Sequence, residues 1–311
     1  MKLFIDYLKD HLKADFRWDL YIGVFAFLLG SFYINYTFDF EESIIDSFYG
    51  QEIRILWYFL FYSFAYYTTL LAWAILHKQT VLLKNYKLWV FSTFCILCQA
   101  VDGSFYYHIA FSKAYLPSEI FVFGYRLLGE LYFIVSVIIP FFLFYKFYDK
   151  ESSYFYGMKA KWNEVKWYFL MLLGMVPLVF GASFEQSFLD AYPNYRFSQA
   201  HLYLGVSEWL TILVSEVCYA GNFISVELLF RGFLIIGMAR FLGRGTVLPM
   251  VVMYAFLHFG KPMGEAIGSI FGGYILGVIA LRSRNIFGGI IIHMGVAMLM
   301  EIAAFYQIMR N

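Results

Sequence analysis

The stretch Ser225-Val226-Glu227-Leu228-Leu229-Phe230-Arg231-Gly232-Phe233-Leu234 places two ionisable side chains inside an otherwise apolar run. Glu227 and Arg231 are four residues apart, one helical turn, so a helix puts both heads on one face and predicts a direct ion pair. That pairing becomes compulsory if the run lies in lipid, where a lone charge costs about 2.5 kcal/mol or more. The composition says that it does. Of 311 residues, 61% are hydrophobic and only 14% charged, too few to cover a water-soluble globule of this length. Mean hydropathy is +0.65. Aromatics make up 23%, with 27 Tyr, 37 Phe and 7 Trp, a surplus suited to bilayer interfaces and to packing between lipid-facing helices. The partner read from these numbers is the lipid bilayer. Net charge is +1 and no run of Lys or Arg forms a phosphate-binding arm, so nucleic acid is excluded as a partner.

A helix needs about twenty apolar residues to cross the hydrocarbon core. Residues 20–38, 53–76, 88–111, 120–147 and 167–184 meet this, and 204–219, 223–241, 247–259, 264–281 and 286–308 follow, several of them short or running into one another. The fold class is all-α: a polytopic membrane helix bundle of about eight to ten helices. Ahead of the first span, residues 1–18 intersperse Lys2, Lys9, Lys13 and Arg17 with Asp6, Asp10 and Asp15 and space their apolar residues about one turn apart, the pattern of an amphipathic interfacial helix. The basic loops 78–87 and 146–166 join this N-terminus on the cytoplasmic side of a cell membrane, with Lys113 and Arg196 as lone outer-loop cations. The alternation then fails. Arg240 with Arg244, and Arg282 with Arg284, both ask to be cytoplasmic, which the count of segments from residue 204 onward does not easily permit unless one helix is re-entrant or half-length.

Two histidines sit in this last region. His258 ends the apolar run Tyr254-Ala255-Phe256-Leu257-His258, and His293 lies inside the last span. Between them Gly264, Gly268 and Gly272 recur every four residues, a small-residue stripe expected to let that helix approach its neighbours closely. Together these helices could bring a carboxylate and two imidazoles around one polar cavity. One Glu and two His could also hold a divalent ion such as zinc. Cys95 and Cys98 form a C-x-x-C within an apolar run and read as two small apolar residues one turn apart. Glu208, Glu216, Glu130 and Arg126 read as buried polar pairs or cavity lining.

In order and spacing, Glu227 with Arg231, His258 and His293 resemble the motifs of the CPBP family (Abi, or CAAX prenyl protease type 2-like), intramembrane proteases whose core is similar to residues 221–304. The family's first motif is Glu-Glu-x-x-x-Arg, its second Phe-x-x-x-His, its last His followed four residues on by Asn or another polar residue. The resemblance implies catalytic roles for Glu227, Arg231, His258 and His293, no certain cofactor, and a membrane-proximal peptide or protein substrate. Three positions depart from it. Val226 replaces the first Glu, taken in the family as the base that works with the second-motif His; Ala297 replaces the polar residue that helps hold the oxyanion; Tyr254 replaces Phe.

The expected organisation is an interfacial helix at 1–18, a transmembrane scaffold at 19–203 and the motif-bearing core at 204–311. The expected function is an intramembrane endopeptidase that hydrolyses membrane-proximal peptide bonds with activated water. The alternative is a catalytically inactive relative serving as a membrane chaperone, adaptor or bacteriocin-immunity protein. If the chain is active, Glu265 is a candidate for the missing carboxylate, against its reading as a first-turn acid favoured by the helix dipole.

Overall fold

The computed structural model describes residues 2–152, 154–159, 164–195 and 199–310; Arg196 and parts of the 146–166 loop lie outside the described residues. All regular structure among the described residues is helical. The chain forms α1 (Lys2–Asp15), α2 (Trp18–Phe38), α3 (Ile53–Leu76), α4 (Tyr86–Gly103), α5 (Tyr107–Tyr115), α6 (Ser118–Leu131), α7 (Ile139–Phe147), α8 (Val165–Ala182), α9 (Gln186–Ala191), α10 (Ala200–Leu204), α11 (Glu208–Glu227), α12 (Ala239–Leu242), α13 (Val247–Phe256), α14 (Met263–Ser283) and α15 (Phe287–Arg310). Among the described residues, eight helical stretches are long and apolar enough to cross a bilayer, the lower end of the expected range. The count settles at eight because the runs around 204–259 merge into one helical stretch, Glu208–Phe256.

The helices divide into two compact units, one of residues 1–104, 141–160 and 227–287, the other of 105–140, 161–226 and 288–311. In the first unit, α11's last residue leads into a π-helical segment, Leu228–Gly237, and the chain then turns at Gly243, which has φ 56°. Ten-residue α13 runs back along that segment, packed on α3 and α14. At about 1.5 Å per residue it spans about 15 Å, half the hydrocarbon thickness. Arg282 pairs with Asp10 of α1 at 3.1 Å, Arg240 pairs with Asp149, Lys87 meets Glu151 at 3.0 Å, and α1 packs against α14 and the Gly243–Thr246 turn. Lys87, Arg240 and Arg282 thus mark one end of this unit, and the 39–52 loop, beyond the far end of α2, meets the turn after α13 at the other.

The glycine stripe is corrected. A methyl group placed on Gly264, Gly268 or Gly272 would meet nothing within 4 Å, whereas one on Gly273 would come 3.0 Å from the Tyr254 ring and one on Gly277 would come 2.7 Å from Met250. The face of α14 that touches α13 therefore runs through Ala266, Ser269, Gly273, Gly277 and Ala280, all buried. The four-residue period was right, and the register that carries it is set one residue along, because only one of the two small-residue rows faces protein.

In the second unit, α8 lies along α15. Val179, Phe188, Tyr192, Ala303 and Ala304 form a buried cluster, and Gln307 donates to the Ser183 hydroxyl at 2.9 Å. Burying an amide and a hydroxyl together is tolerable in lipid because each satisfies the other.

Candidate functional site

Glu227 and Arg231 form the expected ion pair. Arg231 Nη1 lies 3.0 Å from Glu227 Oε1, with the side chains 1% and 0% exposed. Helical spacing makes this contact local, and the apolar surroundings make it necessary: Leu228, Leu229, Phe230, Phe233 and Leu234 are all buried around it. The glycine after Arg231 has a steric cause. A Cβ on Gly232 would stand 2.8 Å from the carbonyl oxygen of Tyr156, so a larger residue there would force the Tyr156 backbone away.

Tyr254 joins this pair to His258. The Arg231 guanidinium sits over the Tyr254 ring, 4.2 Å from its centroid, and the same ring meets the His258 imidazole at 4.5 Å between centroids. Tyr254 is also held edge-on by Phe230 at 4.9 Å. The backbone sets His258 in place. As α13 ends, the His258 N–H bonds to Ala255 rather than to Tyr254, so the Tyr254 carbonyl is left for the His258 side chain, whose Nδ1 lies 2.8 Å from it. A carbonyl only accepts, so Nδ1 carries the hydrogen and the lone pair of the neutral ring belongs to Nε2. His258 is half-buried. Tyr254, which stands where the family pattern has Phe, is the bridge between the buried cation and the imidazole. The signal available was its place four residues before His258, on the same helical face.

The 39–52 loop closes on the residues that follow His258. Asn35, 4% exposed, donates to the Phe259 carbonyl at 3.1 Å and accepts from the Glu41 N–H at 3.1 Å. Tyr36 donates to the Lys261 carbonyl at 2.7 Å. Glu41 Oε2 would lie 3.3 Å from a Cβ on Gly260. Beside these contacts is an apolar cavity of about 320 Å³ whose walls include Phe40, Trp57, Phe61, Phe256 and Phe259, the last two flanking His258 in sequence.

His293 belongs to the second unit, where its ring lies 4.3 Å from that of Phe223. Ala297, one turn on, is buried, as is Glu301 a further turn on, at 2% exposed. Both Glu301 carboxylate oxygens accept the Asn194 N–H, at 2.9 and 2.8 Å. Asn222 donates to Glu130 at 3.1 Å, and Arg126 donates to the Asn194 carbonyl. Arg126, Glu130, Asn194 and Glu216 line a cavity of about 20 Å³, room for about one water. The cavity-lining role expected of Arg126, Glu130 and Glu216 is therefore met. Glu301 was missed because a single Glu near the end of an apolar helix carries no sequence signal of its partner a hundred residues away.

A divalent ion was one reading of the Glu and two His. Among the described residues no group of three His, Cys, Asp or Glu side chains is placed to hold a metal ion. Cys95 and Cys98 are buried free thiols in α4.

The family model described as type II CAAX prenyl endopeptidase Rce1-like matches residues 208–299. That interval contains Glu227, Arg231, Tyr254, His258 and His293. No curated protein and no solved structure matches the chain. The chain is a polytopic helical membrane protein whose residues 208–299 are similar to the type II CAAX prenyl endopeptidase Rce1-like family.

Proposed function

We propose that the chain is an intramembrane endopeptidase that cleaves membrane-proximal peptide bonds with activated water. The observation that carries this reading is the orientation of His258, whose Nδ1 lies on the Tyr254 carbonyl so that Nε2 is the basic nitrogen. In the proposed reaction His258 Nε2 takes a proton from water as the water oxygen attacks the scissile carbonyl carbon. Collapse of the resulting tetrahedral intermediate breaks the C–N bond while His258 returns the proton to the departing amine. Water and peptide become acid and amine, with no proton left over. Glu227 and Arg231 act from beneath: the pair fixes the cation on which the Tyr254 ring rests, and that ring abuts His258. The aromatic cavity beside Phe256 and Phe259 suits an apolar substituent on the substrate, the class that the matched family's name suggests.

The same reading keeps 1–18 as an interfacial helix, 19–203 as scaffold and 204–311 as the core, and places the basic end of the first unit in the cytoplasm of a cell membrane by the positive-inside rule. A second reading is favoured by Val226 and Ala297, which remove a carboxylate and an oxyanion donor from the family pattern: an inactive relative that binds membrane-proximal peptides as chaperone, adaptor or immunity protein. Incubation of the purified protein with a peptide library in bilayers separates the two. Cleavage that His258→Ala abolishes supports the peptidase, and binding without cleavage supports the relative.

A further inference from the structure

Loop residue Glu41 is a half-buried acid that the reaction above does not use, and it lies against the turn that carries His258. It belongs to a small hydrogen-bonded group with α3. The Tyr58 hydroxyl is 3.2 Å from Glu41 Oε1 and 3.0 Å from Asp46 Oδ1, and Arg54 Nη2 is 2.6 Å from the same Asp46 oxygen and 3.4 Å from the Tyr58 hydroxyl. A hydroxyl has one hydrogen and cannot serve two carboxylates. Asp46 is nearer and is paired with Arg54, so it is the ionised member and takes the Tyr58 hydrogen. The contact between Tyr58 and Glu41 is then completed only if Glu41 is a carboxylic acid donating to the Tyr58 oxygen. Its other oxygen, Oε2, is buried with no hydrogen-bond partner among the described residues and rests against Gly260.

We propose that Glu41 is a positioning residue for His258: protonated, it locks the 39–52 loop onto the Phe259–Gly260 turn, and its ionisation releases that turn. The lock has two bolts. The Glu41 backbone N–H holds Asn35, whose side chain holds the Phe259 carbonyl, and the Glu41 carboxyl packs on Gly260. Ionisation would put a second negative charge beside Asp46 and strip the Tyr58 contact of its hydrogen. The charged and titratable groups facing Glu41 are Asp46 and Glu42 in its own loop, Tyr58, Tyr62 and Arg54 from α3, and Tyr36 from α2, which Glu265 beyond the turn also faces and whose hydroxyl donates to the Lys261 carbonyl. Burial, with the Asp46 charge second, raises the Glu41 carboxyl to about 7, so the lock opens within the working range of an enzyme.

This proposal rests on His258 being a site residue, and its test is independent of cleavage. The full chain in lipid nanodiscs is treated with diethyl pyrocarbonate, and the modification rate at His258 is read by mass spectrometry for the native chain, Glu41→Gln and Tyr58→Phe. Gln is isosteric with the protonated acid and keeps a donor for Tyr58, so it holds the lock shut at every pH. The native rate divided by the Glu41→Gln rate should rise by about threefold or more between about pH 6 and about pH 8, the intrinsic titration of the imidazole cancelling in the ratio. Tyr58→Phe should label fast already at the lower pH. A ratio that stays flat, or Tyr58→Phe labelling as slowly as Glu41→Gln, overturns the proposal. If cleavage is also measured, superimposed pH profiles for the native chain and Glu41→Gln overturn it while leaving the peptidase reading intact, whereas absent cleavage with a rising ratio does the reverse.

Discussion

Removing one member of the Glu227–Arg231 pair should cost far more than removing both. The two side chains are 0% and 1% exposed and touch at 3.0 Å, so neither charge has water to fall back on. Arg231→Met leaves the Glu227 carboxylate stranded at a cost of about 3–5 kcal/mol. It also removes the guanidinium from the Tyr254 ring, at 4.2 Å, adding on the order of 1 kcal/mol. The double change Glu227→Met with Arg231→Met strands nothing and fills the space with apolar volume, so its cost should fall to roughly 1–2 kcal/mol. The coupling between the two sites is then several kcal/mol in the sense that the second substitution restores stability lost to the first. Equilibrium unfolding of native, single and double variants in mixed micelles measures all the terms. A single variant that loses less than about 1 kcal/mol, or a double variant that loses the sum of the singles, would show that the pair is not a buried ion pair.

Three further outcomes follow from the same geometry. Glu41 is raised from 4.5 to about 7, so its neutral form favours the folded state: the contribution is present in full below about pH 4.5 and is lost as pH rises through about 7, worth on the order of 3 kcal/mol, and Glu41→Gln should flatten stability across that window. Glu265 occupies the first turn of α14 and is half-buried, so Glu265→Gln should cost only about 0.3–1 kcal/mol and spare any activity; loss of cleavage with intact folding would instead make Glu265 the missing acid. Glu301→Ala leaves the Asn194 N–H without its two acceptor oxygens and should cost about 1–3 kcal/mol, measurable by unfolding, with amide exchange at Asn194 accelerated.

The parts of this architecture that were legible in sequence are those fixed by local spacing or by bulk solvent. Twenty-residue apolar runs declare spans, and the i,i+4 spacing of Glu227 and Arg231 declares their contact, because both follow from one helix. What needed a second helix to decide was misread or missed. The glycine row of α14 has two candidate registers, and only the position of Tyr254 and Met250 selects Gly273 and Gly277 over Gly268 and Gly272. Tyr254 looked like a conservative exchange because its value lies in touching Arg231 and His258 at once. Glu41 gave no signal at all, being one acid among several in a loop whose partners lie on α3 and beyond α13.

The central claim is that His258 is the base of a peptidase. Its most direct test is cleavage of a membrane-anchored peptide library by the full chain in bilayers, compared with His258→Ala and with the pair-conserving control Glu265→Gln. The account predicts cleavage by the native chain and the control, and a loss of about a hundredfold or more in His258→Ala with folding unchanged. Cleavage that survives His258→Ala, or a folded native chain that binds the peptides and cleaves none of them, would contradict it.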